Sequence, residues 1–175
     1  MRGSIVVALF IVAGCHRSVQ VGSAPANRNA APVVATATLK TATGDLVGDL
    51  TIYGGGSLRV AGDLSHLTPG QHGIHFHAVG KCEAPGFTTA GGHLNPTTKQ
   101  HGLKNPNGPH AGDFDNITAD AGGKAHVELT SMASLDQLLD ADGAAIIVHA
   151  AMDDQMTDPS GNSGARFACG VLRKM

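Results

Sequence analysis

The stretch G-I-H-F-H at Gly73–His77, with Cys82, G-G-H-L-N-P at Gly91–Pro96, H-G at His101–Gly102 and G-P-H-A-G-D at Gly108–Asp113, decides how this chain is read. His75, His77, His93, His101, His110 and Asp113 all fall inside it, and His149 arrives later in I-I-V-H. Residues two apart on a strand point to the same side, so His75 and His77 can both reach one ion. A lone H-x-H is weak, but this succession of imidazoles and one carboxylate marks a metal site with room for more than one ion.

Working outward, the segment before Gly73 shows apolar residues at every second position, the period of half-buried strands. Strands are expected over Val34–Lys40, Leu46–Tyr53 and Leu58–Leu64, with turns at Thr43-Gly44-Asp45, Gly54-Gly55-Gly56 and Leu67-Thr68-Pro69-Gly70. The next strand is expected to run unbroken from Gln71 to His77, with His72 facing away from His75 in a structural role. From Ala78 to Pro109 no strand pattern is visible. A loop this long in a compact domain is normally functional, and metal coordination would order it in place of a hydrophobic core. Strand signals return at Ala111–Thr118, at Ala125–Leu129 with His126 on the polar face, at Ala145–His149 and at Phe167–Leu172. A short helical turn fits Leu135–Leu139, and Ala150–Ala165 is a second long loop. The pattern predicts an all-β fold, an eight-stranded antiparallel Greek-key sandwich or barrel with two long functional loops.

Composition agrees. The chain of 175 residues has 24 glycines and no tryptophan, which favours short strands, many turns and an aliphatic core. A net charge of -2 with no long basic run excludes the phosphate-neutralising surface that a nucleic-acid partner needs. At the N-terminus, Ile5–Ala13 is too short to span a bilayer but suits a signal-peptide core, and Val12-Ala13-Gly14-Cys15 resembles a bacterial lipobox. The expected organisation is a lipoprotein-type signal peptide at 1–14, a lipidated Cys15 and flexible tether at 15–33, and one domain at 34–175. The protein is then exported, periplasmic or on the cell surface, and held to a bacterial membrane through the lipid on Cys15. His16 and His66 read as solvated.

G-I-H-F-H, A-G-G-H-L-N-P, H-G, G-P-H-A-G-D, V-H-A-A-M-D-D and G-N-S-G-A-R-F-A-C-G resemble, in order and spacing, the signatures of exported bacterial copper/zinc superoxide dismutases. The resemblance runs from about Val34 to Leu172. It implies copper on His75, His77, His93 and His149, and zinc on His93, His101, His110 and Asp113, with His93 bridging the two metals. The donor chemistry is sensible on its own terms, since imidazole suits both ions and three histidines with a carboxylate close a tetrahedral zinc site. The resemblance further implies that copper, alternately reduced and reoxidised, converts superoxide to oxygen and hydrogen peroxide, with His93 carrying a proton. It makes Arg166 the residue that attracts and orients the anion, Asp153 the carboxylate linking ligands of both metals, and Cys82–Cys169 a disulfide.

Two departures stand out. Asp115 takes a position where the family often has glycine, and the loop Ala150–Ala165 is short and lacks lysine, which predicts slower turnover and weaker salt dependence. The rival reading is a non-catalytic copper/zinc-binding scaffold of the same fold. An adhesive sandwich module would give no reason for the ordered ligands. Substitution His149→Ala separates enzyme from scaffold. The spacing leaves oligomeric state open.

Overall fold

The computed structural model describes residues 31–175, so the expected signal segment, Cys15 and the tether up to residue 30 lie outside the described residues. Ten strands form: β1 Val33–Thr41, β2 Leu46–Tyr53, β3 Arg59–Leu64, β4 Gly70–His72, β5 Ile74–His77, β6 Ile117–Ala119, β7 Ala125–Thr130, β8 Ala145–His149, β9 Arg166–Val171 and β10 Arg173–Lys174. The one α-helix among the described residues, α1, is a single turn at Leu135–Leu138 closed by a capping box between Ser134 and Gln137. Seven strands share one antiparallel sheet in the order β5-β8-β9-β1-β2-β3-β7, with β10 added to β1. The short pair β4-β6 stands apart. The long steps from β3 to β7 and from β5 to β8 are crossovers of the Greek-key kind, and the all-β expectation holds.

The alternation read in the sequence is what curls this sheet around a core. Leu39, Leu50, Ile52, Val60, Leu64, Val127, Ile146 and Val148 point inward with Ile74 and Phe76 and are fully or almost fully buried. Their burial contributes roughly 1.5 to 3 kcal/mol per large side chain. Strands β5 and β8 are buried on both faces. Their even-numbered residues enter the main core, while Ala145 and Ile147 pack with Phe87, Ala90 and Cys169 in a smaller cluster under the loops. His75, His77 and His149 share that second face by parity.

Two expectations need correction. The strand drawn as continuous over Gln71–His77 breaks at Gly73, because β4 pairs with β6 while β5 pairs with β8. His72 is structural as expected, but it is buried, with Nδ1 2.7 Å from the His149 carbonyl and Nε2 2.7 Å from that of Thr68. The strand expected over Ala111–Thr118 shrinks to Ile117–Ala119. Residues 111–113 instead serve the ligand loop: Gly112 N donates to Leu94 O, and Asp113 N donates to His110 O.

Candidate metal centre

Three elements bring the histidines together. β5 presents His75 and His77, and β8 presents His149 opposite β9, where it pairs with Arg166. The loop 78–116 then folds back over this face. Leu94 and Gly112 dock on the Phe76 backbone, through Leu94 N to Phe76 O at 2.8 Å and Phe76 N to Gly112 O at 2.9 Å. This places His93 against His77 and Asp113 against His75 as isolated bridges. Backbone pairing thus fixes both ends of the loop beside the strand ligands.

Donor atoms of His75, His77, His93 and His149 lie within 4.8 Å of one another, and so do those of His75, His93, His101 and Asp113. All are buried. In the first set His75 Nδ1, His77 Nε2, His93 Nε2 and His149 Nε2 have no hydrogen-bond partner among the described residues. Each orphaned buried polar atom would cost about 1 to 3 kcal/mol. Their other nitrogens are engaged, His77 Nδ1 by Gly91 O at 3.0 Å, His149 Nδ1 by Gly164 O at 3.3 Å and His75 Nε2 by Asp153 Oδ2 at 2.7 Å. Such contacts fix the tautomer and leave the free nitrogens as lone-pair donors. Burial pushes the His77 and His75 pKa values down, and it takes His93 to about 4 and His149 to about 3. The rings are therefore neutral and ready to bind a cation at neutral pH.

Asp113 organises the second set. Its Oδ1 is met by Nδ1 of His93 at 2.9 Å, of His101 at 3.1 Å and of His110 at 3.3 Å. A tetrahedron with bonds of about 2.0 to 2.1 Å has edges of about 3.3 Å, so these separations suit donors sharing one small cation. The backbone N–H groups of Gly102 and His110 hold Oδ2 at 2.9 Å each. Burial opposes the carboxylate charge, but the His101, His93 and Gly102 contacts outweigh it and hold the pKa far below the usual range.

Asp153 joins the sets, accepting from His75 through Oδ2 at 2.7 Å and standing 3.0 Å from His101 Nε2 through Oδ1. Both His101 nitrogens thus face carboxylates. Burial would suppress charge on this ring, yet the contacts to Asp113 and Asp153 raise its pKa to about 9.

Beside the first set lies a cavity of about 410 Å³ bordered by His77, His93, His149 and Arg166. The Arg166 guanidinium is anchored by Phe87 O and Gly91 O, each at 2.6 Å, so among the described residues it is fixed without a carboxylate to neutralise it. The Cys82–Cys169 disulfide forms, with Cα atoms 5.7 Å apart, and ties the loop that supplies those carbonyls to β9. Every site residue expected within residues 31–175 is thus gathered here. Residue-type reasoning missed Asn116, whose side chain bonds both the N–H and the carbonyl of Asp153 at 2.8 Å. It also missed Gly161, where a Cβ would collide with Asp153 Oδ1 and come within 2.7 Å of His101 Nε2. Only the spacing of Asn116 from Asp113 and a glycine in an otherwise ordinary loop were visible beforehand.

Fold and site together define a curled antiparallel β-sheet metalloprotein with two adjoining histidine-rich ligand sets and a cationic cavity. The profile of the copper/zinc superoxide dismutase family matches residues 42–172. The chain is 43% identical over 150 residues to the protein named superoxide dismutase [Cu-Zn] of Caulobacter vibrioides, covering 79% of this chain and 85% of that one. It superposes on the crystal structure of a SOD-like protein from Bacillus subtilis with TM-score 0.73 and 39% identity, over 79% of this chain and 97% of that one. The Cu/Zn superoxide dismutase of Brucella abortus gives TM-score 0.66 and 30% identity, over 79% and 98%. The chain belongs to the copper/zinc superoxide dismutase family.

Proposed function

We propose that the protein dismutates superoxide, with copper held by His75 Nδ1, His77 Nε2, His93 Nε2 and His149 Nε2, and zinc by Nδ1 of His93, His101 and His110 with Asp113. The observation that carries this reading is the set of four convergent imidazole nitrogens with no protein partner, buried beside Arg166. A scaffold gains nothing from leaving them unpaired. For zinc, the mutually close donors are those of His75, His93, His101 and Asp113, without His110, but His75 Nδ1 belongs to the copper set and its Nε2 is taken by Asp153, whereas His110 Nδ1 faces Asp113 Oδ1 at 3.3 Å. That favours His110.

Copper would supply the one-electron couple by which one superoxide is oxidised to oxygen and a second, taking up two protons, is reduced to hydrogen peroxide. The chain's own residues do the rest. Arg166 attracts the anion and orients it in the cavity. His93, with Nδ1 toward Asp113 and Nε2 toward the first set, is the ring that can hold or yield a proton at Nε2. A closed His₃Asp zinc site has no open position, so its part is structural and orienting. Asp153 keeps the two sets in register.

The same proposal places the protein outside the cytoplasm, anchored through Cys15. The apolar Ile5–Ala13 run ahead of that cysteine and a structural disulfide, which persists in oxidising compartments, support it. Substitution His149→Ala tests the enzymatic reading. It should abolish dismutation while zinc stays bound and the fold stays intact; an unchanged rate would overturn it.

A further inference from the structure

Resting on the anchoring through Cys15 proposed above, we infer that the outer wall of β1 and β10 docks on anionic phospholipid headgroups and sets how the domain lies on its membrane. Beside that wall and the disulfide is a cavity of about 600 Å³. It is lined by Lys40 and Arg173 together with Thr36 and Thr38, and by no acidic residue. Among the described residues neither cation takes part in a salt bridge. This cavity shares no lining residue with the one beside Arg166 and the copper ligands.

The charge of the rest of the domain gives this wall its weight. All fourteen Asp and Glu but only nine of the twelve Lys and Arg fall in residues 31–175, so the domain is net -5 before any metal is counted. An anionic leaflet repels such a body in most orientations and attracts it in the one that presents Lys40 and Arg173. Asp45 and Asp49, the acids nearest to Lys40 along the chain, accept from Thr43 Oγ1 and Thr38 Oγ1, each at 2.5 Å, and pair with neither cation.

The path of the chain selects the occupant. It enters the domain ahead of Val33, beside β10: Met175 N donates to Val34 O at 3.1 Å, and Arg173 stands opposite Thr36. Only residues 16–30 separate Cys15 from Ala31, a reach of at most about 50 Å. A lipid on Cys15 therefore keeps a bilayer always within reach of this wall, which holds for neither a soluble phosphate nor a second copy. The chemistry suits a phosphodiester, which can accept from the Arg173 guanidinium, the Lys40 ammonium and the Thr36 hydroxyl. Val33 and Met175, at the end where the chain enters, are exposed apolar side chains of the kind that settle at the headgroup boundary.

Two cations facing an anionic leaflet favour the docked orientation about 10- to 30-fold. To test this, the full chain is coupled through Cys15, the one cysteine outside the disulfide, to a maleimide lipid in vesicles of phosphatidylcholine with or without phosphatidylglycerol. Lysine acetylation, read peptide by peptide by mass spectrometry, should slow about 10- to 30-fold at Lys40 when phosphatidylglycerol is present and stay unchanged at Lys124. Arg173→Gln should return about 5-fold of that slowing and Lys124→Gln none. Salt at about 0.5 M should abolish it. Equal acetylation of Lys40 in both vesicles, or equal slowing at Lys124, would overturn the docking. So would the same protection of Lys40 by free glycerol phosphate over neutral vesicles, which would assign the cavity to a soluble phosphate. Protection that follows protein density instead of phosphatidylglycerol would overturn it in favour of a second copy. Because the coupling is chemical, absence of a lipid on Cys15 of the exported protein would overturn the anchoring alone, and the acetylation pattern would still judge the wall.

Discussion

Substituting Asp153→Asn removes one charge and no volume from the residue joining the two ligand sets. The carboxylate accepts from His75 at 2.7 Å and from His101 at 3.0 Å, with Gln155 N also on Oδ1 at 2.6 Å. An amide can accept on one side only, so one imidazole N–H would face an N–H₂ group. Loss of such an orienting partner lowers metal affinity by about 10- to 100-fold. A second effect runs the other way. His101, with its pKa raised to about 9, carries a proton on Nδ1 at pH 7 that zinc must displace. Two pH units of proton competition oppose binding by about 2.7 kcal/mol. Without the Asp153 charge the His101 pKa falls, and this competition shrinks. The variant should therefore lose the full 10- to 100-fold in zinc affinity above pH 9 and much less at pH 7. Chelator competition across pH measures the affinity, and calorimetry in buffers of different ionisation enthalpy should show about one proton released per zinc at pH 7 in wild type and fewer in the variant. A loss of affinity independent of pH, or no proton release in wild type, would refute the reasoning.

Other consequences follow from the same geometry. Gly161 has φ +64 and its missing Cβ faces Asp153 and His101, so Gly161→Ala should destabilise the fold by roughly 1 to 3 kcal/mol and release zinc, checked by thermal unfolding and metal content. In the metal-free protein the depressed pKa values of His93 and His149, about 4 and 3, give stability present above their unfolded value near 6.5 and lost as pH falls toward 4. The raised value of His101 gives stability present below 6.5 and lost as pH rises through 9, so metal-free stability should peak near pH 6.5; a monotonic profile would contradict this. The paired substitution Cys82→Ser and Cys169→Ser opens a cross-link with a sequence separation of 87. It should cost about 4 to 5 kcal/mol, or roughly 10 to 20 °C in Tm, and lower the superoxide rate because the loop carrying Phe87 O and Gly91 O no longer pins Arg166.

The legible parts were those with a local period. β2 falls on the residues the alternation marks because it buries one face, and β8 falls on the apolar run Ala145–His149 because it buries both. The histidines were legible because residue type alone restricts their chemistry. The break at Gly73 was not, since β4 and β5 choose different partners far along the chain and nothing local records that. The strand expected over Ala111–Thr118 fails at its start because the backbone N–H groups of His110 and Asp113 are engaged in the ligand cluster.

The most direct test of the account is the rate of superoxide dismutation by the protein reconstituted with copper and zinc, set against the metal-free form and the form with zinc alone. A fast rate that requires copper and is absent from both other forms is the predicted result. Stoichiometric binding of both metals with no dismutation would contradict it.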